Sequence, residues 1–565
     1  MKRRHSPITV LVLASSIAVL GACTAILGDF TTSASVADSG PTSDVLTETS
    51  VDEGGVAFSI TAPATIFVQP GKTASLAIAV QGATNGPITV TATALPAGVT
   101  AAPLTIAQGS STGNLVLTAA ASATIGTEAK ASISATAAAA GAPAVTLDVT
   151  ISGQSGTVDT TFPKTIPFGS GLGLIASALV QPDGKLVLFG TFHATPGDAP
   201  SLAMRLNTDG TVDSTFQSLI FTSASASPIA VGLKGILQPD GKILVAWTEG
   251  ASSYLNVTRL MSTGALDGTW HDPTKATVST IDQMFVATNP ELMAFGRGAD
   301  GSVIYAQIVT GGVNVWRWNS NGVADTTIGT LGDYGRTEIG PAHPVLDIDD
   351  LDSLQPQPDG TVYFTGFGVN ESGFSAEVFA RTTSALTLDP GFGPLPDAGD
   401  GDAGGWESGF RFFLPYEATM IGNDLYQAAE QNVAGCTVTD TLCTIKWTLG
   451  PDARNSETVC PNYGTGDGGS GLGCGDYAVR ITQGPNKTIL TGGFSTTLGG
   501  IPVVVRFTTS PLATDLSYGT GGVAKLRASA STAAVELPVA IAATTEGLVY
   551  VLTQDAQYPI QRIWP

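Results

Sequence analysis

Charged residues that recur at one spacing are the first candidates for chemistry in this chain. Arg205, Arg259, Arg317 and Arg381 are each followed eight residues later by an aspartate, and each aspartate is followed three residues later by an apolar residue. A set of metal ligands would rarely be copied unchanged in every repeat, whereas a charge-assisted bond that holds a turn would be. We therefore predict that each aspartate bonds within its turn or to the preceding arginine. The aspartates of this pattern, one of which precedes the first arginine, are Asp159, Asp213, Asp267, Asp325, Asp389 and Asp515.

Four of the five cysteines lie in one stretch of the chain. The N-terminus, described below, predicts export to an oxidising compartment, so Cys436, Cys443, Cys460 and Cys474 are candidates for disulfides. Three pairings exist, and we prefer Cys436–Cys443 with Cys460–Cys474 because each closes a short loop. A zinc site is the alternative, although intervening lengths of 6, 16 and 13 residues fit no common zinc pattern.

Two acidic clusters are candidates for calcium. Neither has the glycine in the sixth place or the later glutamate of an Asp-x-Asp-x-Asp-Gly loop, so both are predicted to be solvated loops, with calcium left open. The clusters contain Asp347, Asp349, Asp350, Asp352, Asp397, Asp400 and Asp402. The sequence offers no phosphate loop or dinucleotide fingerprint and no nucleophile beside a base, so we predict no catalytic residue and no cofactor.

The composition defines the elements that must position these residues. Of 565 residues, 43% are apolar and only 13% are charged, with 68 glycines and 33 prolines. An abundance of turn formers with few charges favours many short strands over long amphipathic helices. The net charge of −22 argues against nucleic acid as a partner, because binding phosphates requires lysine and arginine.

The N-terminus has the pattern of an export signal. Lys2, Arg3 and Arg4 precede an apolar stretch from Ile8 to Leu20, which is too short for a comfortable membrane span. The sequence Leu-Gly-Ala-Cys that ends at Cys23 resembles the bacterial lipobox. That resemblance implies removal of residues 1–22, lipidation of Cys23 and a membrane anchor. Threonine rather than aspartate after the cysteine favours the outer membrane of the cell envelope.

Two regions of different composition follow. Residues 23–55 are rich in Ser, Thr, Asp and Gly, and they are predicted to be a flexible tether. Residues 56–153 contain short alternating runs separated by Pro and Gly turns, which is typical of a β-sandwich. Residues 95–100 followed by 115–118 resemble bacterial immunoglobulin-like modules. The resemblance implies a spacer or adhesive unit without chemistry of its own.

The rest of the chain, residues 155–565, is repetitive. The run Gln181–Leu188 recurs as Gln238–Val245, and five weaker copies follow. In Pro-Asp-Gly, proline presets φ, aspartate accepts backbone hydrogen bonds and glycine suits the last position, so each copy predicts a turn between two strands. The glycine slot lies at 184, 241, 301, 360, 423, 487 and 547, with steps of 57, 60, 59, 63, 64 and 60 residues.

The two ends of this array predict its shape. The seventh copy stops at Arg562–Pro565 without its aspartate and aromatic residue, and the missing half stands at Gly156–Phe162. A repeat divided between the two ends is what a closed ring requires, because one sheet then takes strands from both ends and no edge is left open. We therefore predict an all-β chain in which an immunoglobulin-like β-sandwich is followed by a seven-bladed β-propeller.

The repeat also resembles the delta-60 repeat family of bacterial surface and secreted proteins. The resemblance lies in the Pro-Asp-Gly-Lys turn and in Arg205–Phe216, and it implies a propeller without an established activity. We expect a monomeric envelope lipoprotein whose propeller binds protein or glycan, with the decorated segment 430–476 as the candidate ligand surface. The alternatives are a propeller enzyme, such as a lyase or glycoside hydrolase acting on extracellular polysaccharide, and a purely structural envelope protein.

Overall fold

The structure is a computed structural model, and its description covers part of the chain. The described residues are 58–82, 86–137, 140–163, 175–192, 201–217, 230–249, 254–270, 284–285, 293–309, 312–325, 327–328, 336–339, 346–370, 375–389, 406–409, 415–430, 442–448, 456–461, 476–495, 498, 500–527, 538–553 and 559–565. They form strands, apart from turns and one 3-10 turn at Pro485–Lys487. Within these ranges there is no helix with the length and apolarity needed to cross a membrane.

The first ten strands form two sheets that pack face to face. One sheet has the order β1-β3-β7-β5 and the other β2-β10-β8-β4-β6, with β9 paired to β8. The strands are β1 (Ser59–Thr61), β2 (Thr65–Val68), β3 (Thr73–Gln81), β4 (Ile88–Thr93), β5 (Val99–Ala101), β6 (Leu104–Ile106), β7 (Thr112–Ala119), β8 (Glu128–Ala137), β9 (Ala140–Gly141) and β10 (Val145–Ile151).

Period-two alternation builds the core of this sandwich. In β3, Leu76, Ile78 and Val80 are buried, while the residues between them are exposed or half-buried. Alternate side chains of a strand point to opposite faces, so one face of each sheet supplies a single apolar core. The first two strands belong to different sheets. β1 pairs antiparallel with β3 in one sheet, and β2 pairs parallel with β10 in the other.

Seven antiparallel sheets follow among the described residues. They are numbered here in chain order. The first three contain β11 (Ile175–Val180), β12 (Leu186–Phe192) and β13 (Ser201–Leu206); β14 (Ala230–Leu237), β15 (Ile243–Glu249), β16 (Tyr254–Leu260) and β17 (Met284–Phe285); and β18 (Met293–Arg297), β19 (Val303–Val309), β20 (Gly312–Trp318) and β21 (Arg336–Ile339).

The remaining four sheets continue the same pattern. They contain β22 (Leu346–Pro356), β23 (Val362–Asn370), β24 (Ser375–Thr382) and β25 (Trp406–Gly409); β26 (Pro415–Ile421), β27 (Asp424–Glu430), β28 (Leu442–Thr448) and β29 (Ser456–Val459); β30 (Asp476–Gln483), β31 (Ile489–Ser495), β32 (Ile501–Thr509), β33 (Leu512–Thr514) and β34 (Val523–Lys525); and β35 (Pro538–Ala543), β36 (Val549–Thr553) and β37 (Ile560–Ile563).

The second strand of the first sheet begins with four apolar residues because neighbouring sheets cover both of its faces. In β12, the four residues Leu186–Phe189 are each no more than 1% exposed. Leu186 and Leu188 pack with the seventh sheet, whereas Val187 and Phe189 pack with the second. A strand buried on both sides reads as a continuous hydrophobic run, which explains why this segment lacks the alternation of the sandwich strands.

The first strand of each sheet, called the inner strand here, contacts the inner strand of the next sheet. These inner strands are β11, β14, β18, β22, β26, β30 and β35, and β35 in turn contacts β11, so the circuit of sheets closes. The sandwich lies against this closing seam. The ring of Trp564 makes an edge contact with Phe67 of β2, with centroids 6.4 Å apart.

Candidate functional site

The recurring arginine and aspartate bond to each other and connect neighbouring sheets. Arg205 Nε donates to Asp213 Oδ2 at 2.9 Å, and Arg205 Nη1 donates to the carbonyl oxygen of Ser262, in the second sheet, at 2.6 Å. The guanidinium carbon lies 4.7 Å from the centroid of the Phe216 ring. We call this set of arginine, aspartate and aromatic residue a clamp. It confirms the predicted bond between each aspartate and its arginine.

The clamp recurs around the array. Arg259 and Arg317 donate to Asp267 and Asp325 at 2.8 and 2.7 Å. The same two arginines reach carbonyl oxygens of the following sheet, at Ser320 and Ser384, both at 2.7 Å. Arg381 and Arg506 pair with Asp389 and Asp515, both at 2.8 Å. The fifth sheet departs from the pattern, because Lys446 stands there in place of an arginine and pairs with Asp424 at 3.0 Å.

The last clamp joins the two ends of the array. Arg562 Nε donates to Asp159 Oδ2 at 2.7 Å, although the two residues are 403 positions apart. Arg562 Nη1 bonds the carbonyl oxygen of Thr208 in the first sheet, as its equivalents do in other sheets. Val158 forms an antiparallel bridge with Ile563, in the role that Val212 and Leu206 play within the first sheet. The N-terminal half-repeat therefore completes the seventh sheet, as predicted.

Asp213 and Asp267, the clamp aspartates of the first two sheets, are held in their charged form. Burial raises the pKa of Asp213, but hydrogen bonds from Lys185 and Thr215 and the charge of Arg205 outweigh it and hold the pKa well below its usual range. Asp267 is held low by the same balance. A carboxylate that stays ionised and fully bonded can act neither as a general acid nor as an open metal ligand. The clamps are therefore structural.

The repeated turns have the predicted chemistry. Asp183 Oδ1 accepts the amide of Lys185 at 3.2 Å, and Gly184 has a φ of +80°, which only glycine adopts without strain. The glycine slot has positive φ at 184, 241, 301, 360, 487 and 547. The predicted slot in the fifth copy is wrong by one position. Because β26 and β27 are joined by two residues only, the left-handed residue is Gly422 (φ +63°) rather than Asn423.

The inner strands contain a feature that the sequence analysis missed. In six of the seven, the pairing with the second strand skips a residue, so a β-bulge interrupts the ladder at the same place. In the first sheet the skipped residue is Ala176, five residues before the hairpin turn begins at Gln181. A bulge frees backbone groups and turns side chains out of register. The skipped residues at this place are Ala176, Leu233, Asp352, Glu417, Val479 and Val539.

Charged residues of the inner strands differ from those of the clamps. Among the described side chains, Lys234, Arg297, Glu417 and Arg480 of the inner strands make no ion pair. Arg480 donates instead to the carbonyl oxygen of the bulged Val539 at 2.8 Å. Unlike the clamp residues, these four charges are not repeated from sheet to sheet. No periodicity in the sequence could have identified them.

The structure changes two expectations about the candidate ligand groups. Cys443 is bonded to Cys460, so the preferred pairing of Cys443 with Cys436 is wrong. The reason is register, because Thr444 of β28 lies opposite Val459 of β29 and this brings the two cysteines face to face. Cys23, Cys436 and Cys474 lie outside the described residues.

The acidic cluster at 347–352 is not a loop. It forms most of β22, the inner strand of the fourth sheet, with bulges at Asp349 and Asp352. The cluster at 397–402 and most of the segment 430–476 lie outside the described residues. Within the described part of the chain, no group of three or more His, Cys, Asp or Glu residues is arranged to hold a metal ion.

One family model matches the chain. The model, described as "Domain of unknown function (DUF5122) beta-propeller", matches residues 181–216 and 238–269. These segments are the first two copies of the repeat, from the hairpin turn to the clamp. This match and the closed circuit of sheets support a β-propeller fold. The sandwich and the half-repeat at residues 156–162 precede the two matched copies. No curated protein matches the chain.

Several solved structures resemble the chain at low sequence identity. A quinoprotein alcohol dehydrogenase-like protein from Bacteroides thetaiotaomicron is 10% identical, with a TM-score of 0.34, over 82% of this chain and 95% of that one. Prolyl oligopeptidase B from Galerina marginata is 9% identical, with a TM-score of 0.36, over 69% of this chain and 50% of that one. A GH43 β-1,3-galactosidase is 9% identical, with a TM-score of 0.24, over 77% and 79%.

Proposed function

We propose that this chain is a lipid-anchored protein of the bacterial cell envelope whose propeller binds a protein or glycan without catalysing a reaction. In this proposal Cys23 carries the lipid, residues 23–55 form the tether and the sandwich is an immunoglobulin-like spacer. The ring is a seven-bladed propeller of the delta-60 type, in agreement with seven sheets and a closing clamp between Asp159 and Arg562.

One observation supports a binding role above the others, namely the contrast between paired and unpaired charges. The clamp arginines recur and are paired with aspartates. The inner-strand charges Lys234, Arg297, Glu417 and Arg480 do not recur and have no ionic partner among the described residues. A charge that does not recur in other sheets and has no ionic partner, placed on the inner strand of a sheet, is typical of a ligand-binding surface on a rigid fold.

The binding role is tested with a glycan array and a pulldown from envelope extract. Lys234→Gln should weaken ligand capture at least tenfold while leaving the unfolding temperature of the chain unchanged. The matched control is Lys130→Gln, which removes a solvent-exposed lysine of the sandwich that pairs with Asp148. Capture that is equal in all variants would exclude Lys234 from the binding surface, and no capture at all would favour a purely structural envelope protein.

A propeller enzyme acting on polysaccharide is the second candidate, supported by the acidic residues along two neighbouring inner strands. Four aspartates of the cluster at 347–352 lie on β22, and Glu417 lies on β26, the neighbouring inner strand. Glycoside hydrolysis uses two carboxylates that flank the scissile bond. Glu417→Gln should abolish release of reducing ends from an acidic or neutral polysaccharide if this candidate is correct. Polysaccharide that stays intact with the unaltered chain would eliminate it.

Lipidation is tested separately. Cells that express the chain and are fed a radiolabelled fatty acid should label it, and Cys23→Ser should remove both the label and the membrane association. A labelled Cys23→Ser variant would contradict the assignment of the anchor. Fractionation of the unaltered chain then separates the outer from the inner membrane.

A further inference from the structure

The chain between the sandwich and the ring of sheets is short and held by hydrogen bonds. Ser152 directly follows β10, and its amide donates to the carbonyl oxygen of Val68 in β2 at 3.1 Å. The carbonyl oxygen of Ser155 then accepts the amide of Gly519, which lies between β33 and β34 of the sixth sheet, at 3.0 Å. Only two residues separate the last bond to the sandwich from the first bond to the ring, so this stretch has no room for a flexible linker.

The indole of Trp564 lies between the sandwich and the ring. Trp564 follows β37 and is 2% exposed, and its amide donates to the carbonyl oxygen of Thr157 at 3.0 Å. On the sandwich side its ring meets the edge of Phe67. Gly153 backs against the same ring, since a Cβ there would lie 2.5 Å from Trp564 Cδ1. The sandwich therefore supplies part of the surface that buries this tryptophan.

A second contact lies at the turn before β8. A Cβ on Gly126 would lie 2.7 Å from Oγ1 of Thr161, so the two residues touch. The amide of Gly126 donates to the carbonyl oxygen of Ile151 at 2.8 Å, which fixes this turn to the end of β10. Oγ1 of Thr161 donates to Asp159 Oδ1 at 2.6 Å. The sandwich thus packs directly against a residue that holds the aspartate of the closing clamp.

We propose that the sandwich locks the closure of the ring and is not a freely jointed spacer. The half-repeat at residues 156–162, which completes the seventh sheet, continues the chain of β10, and Leu147, Val149 and Ile151 of β10 are fully buried in the sandwich core. The half-repeat is consequently held from both sides, by that core through the short junction and by the contacts at Trp564 and Thr161. It leaves β37 only when these sandwich contacts break.

The lock goes beyond the proposed function and does not depend on what the propeller binds. It fixes the orientation of the ring relative to the sandwich, because the junction does not bend while its hydrogen bonds hold. In the proposed envelope protein, freedom in how the ring faces the membrane then comes from the chain before the sandwich.

Hydrogen exchange resolved to single residues tests the lock on the full chain. Phe67→Ala removes the sandwich side of the contact with Trp564 and leaves every residue of the ring in place. The amides of Asp159 and Trp564, whose hydrogen bonds cross the closing seam, should then exchange at least tenfold faster. The amide of Asp213, which makes the equivalent bond within the first sheet, should not change.

Matched variants separate the lock from a general loss of stability. Val116→Ala removes an apolar side chain of the sandwich that is 46% exposed, and it should leave the seam amides unchanged. Gly153→Ala places a methyl group against Trp564 and should accelerate the seam amides as Phe67→Ala does. Its control is Gly141→Ala, because a Cβ there meets only the carbonyl oxygen of Ala135, at 3.9 Å.

Two results would overturn the proposal. Unchanged exchange of the Asp159 and Trp564 amides in both Phe67→Ala and Gly153→Ala would mean that the sandwich has no part in closure. Equal acceleration of the Asp213 amide would mean that these variants loosen the ring as a whole and not its closing seam.

Discussion

Replacement of Asp159 by asparagine tests whether the two ends of the propeller are held together by the closing clamp. Asp159 is 3% exposed and the side chain of Arg562 is 4% exposed, so this variant leaves a buried guanidinium without its counter-charge. Removing one partner of a buried ion pair costs about 3–5 kcal/mol. The loss should be large because the same contact also connects the first sheet to the seventh through Thr208.

The matched control is Asp325→Asn in the clamp of the third sheet. The side chains of Asp325 and Arg317 are 22% and 18% exposed. These two residues are only 8 positions apart, so this clamp does not join the two ends of the array. Water can solvate the Arg317 charge that Asp325→Asn leaves unpaired, so this variant should lower the free energy of unfolding by about 1 kcal/mol. The expected difference between the two variants is therefore about 2–4 kcal/mol.

Urea unfolding followed by tryptophan fluorescence measures the unfolding midpoint of both variants. Asp159→Asn should lower the midpoint far more than Asp325→Asn. The double variant Asp159→Leu/Arg562→Met should recover part of the loss, because it removes the unpaired charge. Equal losses in the two single variants, with no recovery in the double variant, would refute closure by this clamp.

Three further predictions concern individual groups. The pKa of Asp213 is lowered in the folded chain, so its contribution to stability is fully present above about pH 4 and falls as the pH falls toward the folded pKa; in urea titrations at several pH values, Asp213→Asn should lose stability at pH 7, and its difference from the unaltered chain should narrow steadily below about pH 4. The hydroxyl of Tyr518 is buried without a hydrogen-bond partner in the described structure, so Tyr518→Phe should stabilise the chain by about 1 kcal/mol in thermal unfolding; a destabilised variant would indicate a bonded hydroxyl. The disulfide between Cys443 and Cys460 spans 17 positions, so replacing both by serine should cost about 3 kcal/mol in urea, and an unchanged midpoint would contradict the cross-link.

Much of the scaffold could be predicted from the sequence because its determinants are local and repeated. The Pro-Asp-Gly turn that ends at Gly184 needs only adjacent residues, and the spacing from Arg205 to Asp213 is that of one hairpin. These residues can be recognised in the sequence because every copy of the repeat packs in the same way and therefore keeps the same residue types at the same spacing. The same reasoning predicted the contact between Asp159 and Arg562, which are 403 positions apart. The last copy of the repeat is incomplete, and the half-repeat at residues 156–162 supplies the missing part.

Other features depended on how strands pair, which the sequence does not show. Cys443 bonds Cys460 because of the register of β28 and β29, and loop length alone favoured another partner. The aspartates at 347–352 have the composition of a solvated loop, yet they form an inner strand, because the position of that strand in the ring outweighs local preference.

The sequence by itself therefore determined the all-β character, the turns, the clamps and the closure of the ring. Each of these follows from residue types at short or repeated spacing. Only the tertiary structure decided the cysteine pair, the bulges on the inner strands, the unpaired charges of those strands and the contact of the sandwich with the closing seam. These features depend on the register of paired strands and on the packing of one sheet against the next. A register that differs in one sheet only does not produce a repeated pattern in the sequence.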